Sequence, residues 1–98
     1  MKKRRFFVYI LASHSRTLYV GITSNPRARV HAHRTGEHSG FTKRYAIHRL
    51  VHLEEFERVA DALRREKQIK GWLRRKKVQL ITDHNPDWRD LAADLWGT

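Results

Sequence analysis

The stretch Phe6–His33, FFVYILASHSRTLYVGITSNPRARVHAH, decides the fold. It holds two short apolar runs, each carrying a tyrosine, and then a capped, basic helix start. Phe6–Leu11 is apolar, aromatic and β-branched, and Leu18–Ile22 is rich in strand formers around Gly21. The link from Ala12 to Thr17 is short and polar, so the two runs are expected to pair as an antiparallel hairpin. Ser24-Asn25-Pro26 supplies a capping side chain followed by a proline that suits a first helical turn. Tyr9 and Tyr19 then sit on neighbouring strands, and Arg29 and His33, four apart, share one face of the next helix.

Outward from this stretch, a helix is expected over Pro26–Thr35, ended by Gly36. Residues 37–44 are polar around Gly40 and read as a loop. Tyr45–Phe56 mixes Ile47, Leu50, Val51, Leu53 and Phe56 with polar residues, which fits a third strand. The clearest helix is Glu57–Leu73. At about 100° per residue, Val59, Ala62, Leu63, Ile69 and Leu73 form one stripe, Glu66 falls in its middle, and Arg64, Arg65 and Gln68 point to solvent. Gly71 breaks or bends it, Arg74–Ile81 reads as a shorter basic helix, and Asn85-Pro86-Asp87 repeats the cap-then-proline signal before Trp88, Leu91 and Leu95 at helical spacing. The expected architecture is one α/β (α+β) domain spanning 1–98: a small, three-stranded, mainly antiparallel sheet flanked by helices, with a core over about 6–80 and a helical extension over 83–98.

The 98 residues suffice for a single modest core, and 40% hydrophobic content argues for a folded chain. Lysine and arginine number 21 against 10 acidic residues, a net charge of +11 that calls for a polyanionic partner, nucleic acid before an acidic membrane surface. The absence of cysteine excludes disulfides, a thiolate nucleophile and a cysteine zinc site, and fits the cytoplasm. Lys2–Arg5 followed by Phe6–Ala12 imitates a signal peptide but doubles as a good first strand, and no run approaches the ~18 apolar residues of a membrane helix. A soluble, unprocessed chain is expected.

Several residues carry possible chemistry. A carboxylate on an apolar stripe is costly unless paired or metal-bound, so Glu66 is either an ion-pair partner of Arg29 or another cation, or a metal ligand; one inward glutamate is enough for magnesium. Arg29 suits a phosphate, because its planar fork matches two phosphate oxygens, although a surface ion pair is the common fate of such a residue. Gly21, without a side chain, lets backbone or phosphate come close. His31 and His33, two apart on a helix, diverge, which argues against a histidine zinc site. His38 is a weak further candidate. Among residues 64–77, Glu66 alone opposes Arg64, Arg65, Lys67, Lys70, Arg74, Arg75, Lys76 and Lys77. Such a face either binds phosphates without reading sequence or is the solvated side of two helices; Lys43 and Arg44 line the substrate channel or belong to an exposed loop.

Phe7-Val8-Tyr9, Tyr19-Val20-Gly21, Arg29, His33 and the Glu66 of Ala62-Leu63-Arg64-Arg65-Glu66-Lys67 together resemble the signature of the GIY-YIG nuclease superfamily, in particular its small bacterial standalone members. Phe7 stands where the glycine of the first tripeptide usually stands. The resemblance implies a DNA endonuclease dependent on Mg2+ or Mn2+. In it Glu66 binds the metal, Tyr19 orients or deprotonates the attacking water, Tyr9 supports it with a hydrogen bond, Arg29 holds the scissile phosphate, and His33 bonds that phosphate or a tyrosine hydroxyl. DNA is the expected substrate, with RNA a second option, and cleavage is expected to follow DNA structure or a weak sequence preference. The alternatives are a non-catalytic nucleic-acid-binding module and a recruiting subunit of a DNA repair or restriction complex, for which exposed tryptophans would speak; burial of Trp72, Trp88 and Trp96 is the more economical expectation.

Overall fold

A computed structural model describes residues 4–35 and 44–97. The elements run β1 (Phe6–Ala12), β2 (Leu18–Thr23), α1 (Pro26–Thr35), β3 (Arg49–Phe56), α2 (Val59–Lys70), α3 (Arg74–His84) and α4 (Leu91–Trp96). The sheet order is β2-β1-β3, so the first strand is central and both pairings are antiparallel. Tyr9 lies opposite Gly21, and Leu11 opposite Tyr19. Alternation along the strands therefore places Tyr9, Leu11, Tyr19 and Gly21 on one face. That face packs on Val30 of α1, Ile47 and Ala92 of α4. The other face, with Val8, Ile10 and Val20, meets Ala62 and Ile69 of α2, Ile81 of α3 and Trp88.

A β-bulge lies in β3, where Ile10 pairs with His52 and Leu11 with Leu50. Val51 is the extra residue, and it joins the α2–α3 core. The same bulge turns His52 and Glu54 toward α2, opposite Ile10 and Val8. There Glu54 takes two hydrogen bonds from Arg65, at 2.8 and 3.0 Å, and one contact from His52 at 2.7 Å.

Helix α1 keeps its expected bounds, with Asn25 Oδ1 accepting from the Ala28 N–H at 3.2 Å. Other expectations are corrected. The third strand begins at Arg49, not Tyr45, because the chain turns through Ala46 at a φ of 52° and Ile47 drops into the core ahead of the strand. Helix α2 is shorter than 57–73, and its buried line is narrower than the expected stripe. Ala62 and Ile69, two turns apart, are fully covered, whereas Val59, Leu63 and Leu73 stay exposed. Arg65 is not on a solvated face; Glu54 holds it. Helix α3 continues past Ile81 to His84.

Asn85-Pro86-Asp87 opens no helix. Asn85 ends α3 and is buried, its amide nitrogen donating to the Val51 and Arg89 carbonyls and its oxygen accepting from the Arg89 N–H. Trp88 then adopts a φ of 52° and inserts into the core, its indole N–H reaching Thr82 at 3.1 Å and Arg16 lying 4.3 Å over its ring. The cap of α4 is Asp90. Its carboxylate accepts from the Ala92 and Leu50 N–H groups and binds Arg34, which ties the last helix to both β3 and α1. Of the tryptophans, Trp88 is buried and Trp72 and Trp96 are half-buried. Gly36, His38 and Lys43 lie outside the described residues.

Candidate active site

The two tyrosines reach the same place because their strands are paired and their positions are diagonal neighbours on one face. Asn25 and Pro26 start α1 directly after β2, so the helix lays His33 against them. The rings of Tyr9, Tyr19 and His33 form a triangle, with centroids 6.3 Å apart for the tyrosines, 5.9 Å for Tyr9 and His33, and 5.0 Å for Tyr19 and His33. Tyr9 and His33 are buried and joined by a 3.1 Å contact between Oη and Nε2, while Tyr19 is half-exposed.

Arg29, one turn before His33, is hydrogen-bonded to the Tyr9 side chain. A guanidinium only donates, so Tyr9 Oη accepts from it and can pass its own proton to His33 Nε2. Burial pushes the Tyr9 hydroxyl up from its ordinary value; Tyr19 and Glu66 push the same way, and Arg29 pulls against them without reversing the shift. Tyr9 is thus a neutral phenol across the neutral range. Its hydroxyl keeps its proton there, between Arg29 and His33.

Glu66 of α2 lies close enough to act electrostatically on Tyr9, and its side chain is only 14% exposed. Its ion-pair partner is Lys70, one turn on, at 3.4 Å; of the two fates open to this carboxylate, pairing with a cation is present in the structure. Among the described residues no three or more His, Cys, Asp or Glu side chains converge as a cation cage. One largely covered carboxylate still fits Mg2+ or Mn2+, hard ions that take one or two carboxylates and complete their shell with water and substrate phosphate.

The structure redistributes the remaining candidates. Gly21 is not open to phosphate: it is buried, and the Tyr9 ring already occupies the space where a side chain would be, with Cζ and Oη 2.4 Å from an ideal Cβ. Arg65 is withdrawn by Glu54 and by Gln68 at 2.7 Å, and its guanidinium lies 5.1 Å over the Trp72 ring. Arg44 is exposed beside Tyr45, 5.6 Å over that ring. Arg74, Arg75 and Lys76 are exposed at the start of α3 and Lys77 is half-buried, with Lys76 4.5 Å from the Trp72 ring. Lys70 and this turn carry positive charge onward from Glu66. Tyr45, an exposed aromatic next to a cation, is a surface feature that the strand reading hid.

A three-stranded antiparallel sheet with tyrosines on its hairpin and a basic helix next in the chain is the architecture of small α+β nuclease-type domains. A sequence profile described as the GIY-YIG catalytic domain matches residues 5–79, and the chain belongs to that family. It is 33% identical over 97 residues to a UPF0213 protein of Limosilactobacillus reuteri, covering 96% of this chain and all of that one. A UPF0213 protein of Natronomonas pharaonis is 39% identical over 77 residues, 79% of this chain and 91% of the relative. The solution NMR structure of the UPF0213 protein BH0048 from Bacillus halodurans superposes with a TM-score of 0.59 at 28% identity, covering 91% of this chain and 95% of that one. These relatives place the chain with the small UPF0213 members of the superfamily. Among the described residues no helix is long and apolar enough to cross a membrane.

Proposed function

We propose that the protein is a divalent-metal-dependent endonuclease that hydrolyses DNA phosphodiester bonds, directed by DNA structure or by a weak sequence preference. The observation that supports this reading is the cluster of Tyr9, Tyr19, Arg29 and His33 from one hairpin and helix, with the Glu66 carboxylate of α2 within electrostatic reach of Tyr9. Arg29 takes the scissile phosphate and stabilises the charge that develops on it. Tyr19, the more exposed phenol, faces the attacking water. Tyr9, kept protonated by burial, fixes Arg29 and His33 through its hydroxyl. Glu66 would hold Mg2+ or Mn2+, and the ion when bound would stabilise developing negative charge and the leaving group. Lys70, Arg74, Arg75 and Lys76 bind backbone phosphates, which adds affinity and salt dependence without base readout.

The test compares wild type with Glu66→Gln on supercoiled plasmid and branched DNA, with magnesium, with manganese and with chelator, after the variant is shown to be folded. Metal-dependent cutting that disappears in the folded variant is the expected result. Inactivity of wild type on every substrate, with DNA binding equal in both proteins, overturns it. The Glu66–Lys70 ion pair would then be the whole role of that carboxylate, and a non-catalytic DNA-binding module the better reading.

A further inference from the structure

A cavity of about 380 Å3 opens on the side of α1 away from the tyrosine cluster, lined by Asn25, Arg27, Val30, His31, Arg34 and Trp96 among others. At about 100° per residue, Arg27, His31 and Arg34 project from the helix opposite to Arg29 and His33. The divergence of His31 from His33 thus separates two surfaces. Arg34 is a structural wall: it binds the Asp90 carboxylate and donates to the His48 carbonyl at 3.2 Å. Arg27 and His31 are different. Both are exposed, and their side chains make no ion pair or hydrogen bond among the described residues. Asn25 spends its amide oxygen on the Ala28 N–H, which leaves its NH2 group to donate elsewhere. Trp96, half-buried, supplies an aromatic surface beside these cations.

An indole, two uncommitted cationic or protonatable side chains and a free amide donor are the chemistry that holds a nucleotide. The base stacks, the phosphate meets the guanidinium, and the amide meets a base edge. The volume lies in the range of roughly 300–1,000 Å3 typical of small-ligand sites. We propose that this cavity is a subsite for one unpaired nucleotide of single-stranded DNA, its base on Trp96 and its phosphate on Arg27 and His31. The proposal rests on the nuclease reading in taking DNA as the partner. It adds that a strand passing the N-terminal end of α1 is gripped on both sides of the helix, so DNA with a single-stranded segment binds better than duplex.

The experiment is an amide and indole NMR titration of the whole protein with a thymidine trinucleotide, with thymidine monophosphate and with inorganic phosphate. Expected are saturable shifts at Arg27, His31 and the Trp96 indole with the trinucleotide, and about tenfold or more weaker binding in the exposed double variant Arg27→Glu/His31→Glu. Monophosphate binding as tightly as the trinucleotide overturns the strand assignment in favour of a free nucleotide. Equal shifts with inorganic phosphate, or shifts confined to the Arg29 and Glu66 side, overturn the subsite. Plasmid cutting, measured in parallel, keeps the two readings apart. Cutting without Trp96 shifts removes the subsite alone, and Trp96 shifts in a protein that never cuts remove the nuclease alone.

Discussion

Gly21→Ala is a small change with a large expected effect. The new methyl group would stand 2.4 Å from Tyr9 Cζ and Oη and 2.8 Å from Cε1. Carbon atoms in contact rest about 3.5–4.0 Å apart, so the ring must retreat by about 1 Å. It has nowhere easy to go: it is 1% exposed and flanked by the Tyr19 and His33 rings. Overpacking of this kind costs about 1–3 kcal/mol, and loss of the Tyr9–His33 bond adds about 1 kcal/mol. Gly21 is not at a positive φ, so backbone entropy alone would make alanine stabilising by about 0.4–1 kcal/mol. The net expectation is a loss of about 2–3 kcal/mol, or a fall in Tm of about 10–20 °C for a chain of this size. Thermal melts followed by circular dichroism measure it. Tyr9→Phe should not relieve the strain, because Cζ and Cε1 remain, whereas Tyr9→Ala should remove most of it. A Gly21→Ala protein as stable as wild type, or equally destabilised in the Tyr9→Ala background, refutes the reasoning.

Two further predictions concern titration. Burial raises the Glu54 carboxyl, but hydrogen bonds from His52 and Arg65 outweigh it and hold the group at about 2, against 4.5 in the absence of the fold. Its stabilising contribution is complete above pH 4.5 and is lost as pH falls toward 2, about 3 kcal/mol in all; acid melts of Glu54→Gln should lack that limb, and an unchanged acid limb would sink the assignment. Because burial pushes the Tyr9 hydroxyl up, ultraviolet tyrosinate titration of wild type and Tyr9→Phe should show the same amplitude up to about pH 11, and a larger wild-type amplitude there would mean that Tyr9 ionises.

The hairpin, α1 and the shared face of Arg29 and His33 are legible in the sequence because their causes are local. Strand alternation, one cap and one proline decide them within a few residues. The failures share a different cause. Arg65 looks solvent-facing by periodicity, yet a bulge at Val51 delivers Glu54, eleven residues before Arg65, beneath it, and nothing in the pattern of β3 announces that bulge. Gly21 reads as a place for a ligand because a missing side chain says that something approaches, but not what; a residue on the neighbouring strand fills the gap. Asn85-Pro86 carries the same letters as Asn25-Pro26 and performs another task, since the buried Val51 carbonyl needs a donor and Asn85 supplies it. Glu66 stood out by breaking an apolar stripe, although Val59 and Leu63 beside it proved exposed.

The central position of β1 sets an order of assembly. Tyr9, Tyr19, Arg29 and His33 come from one short length of chain and can meet once a single tight link has closed, an event of microseconds. Glu66 cannot join them until β3 has docked on the opposite edge of β1, bringing Phe56 to Phe6 across fifty residues, a closure that carries a larger entropic cost. A nascent or partly unfolded chain therefore presents the tyrosine, arginine and histidine half of the cluster without the carboxylate. On the proposed function such a chain grips DNA before it is able to cut it, and pulse-labelled hydrogen exchange showing β2 protected ahead of α2 would record that sequence of events.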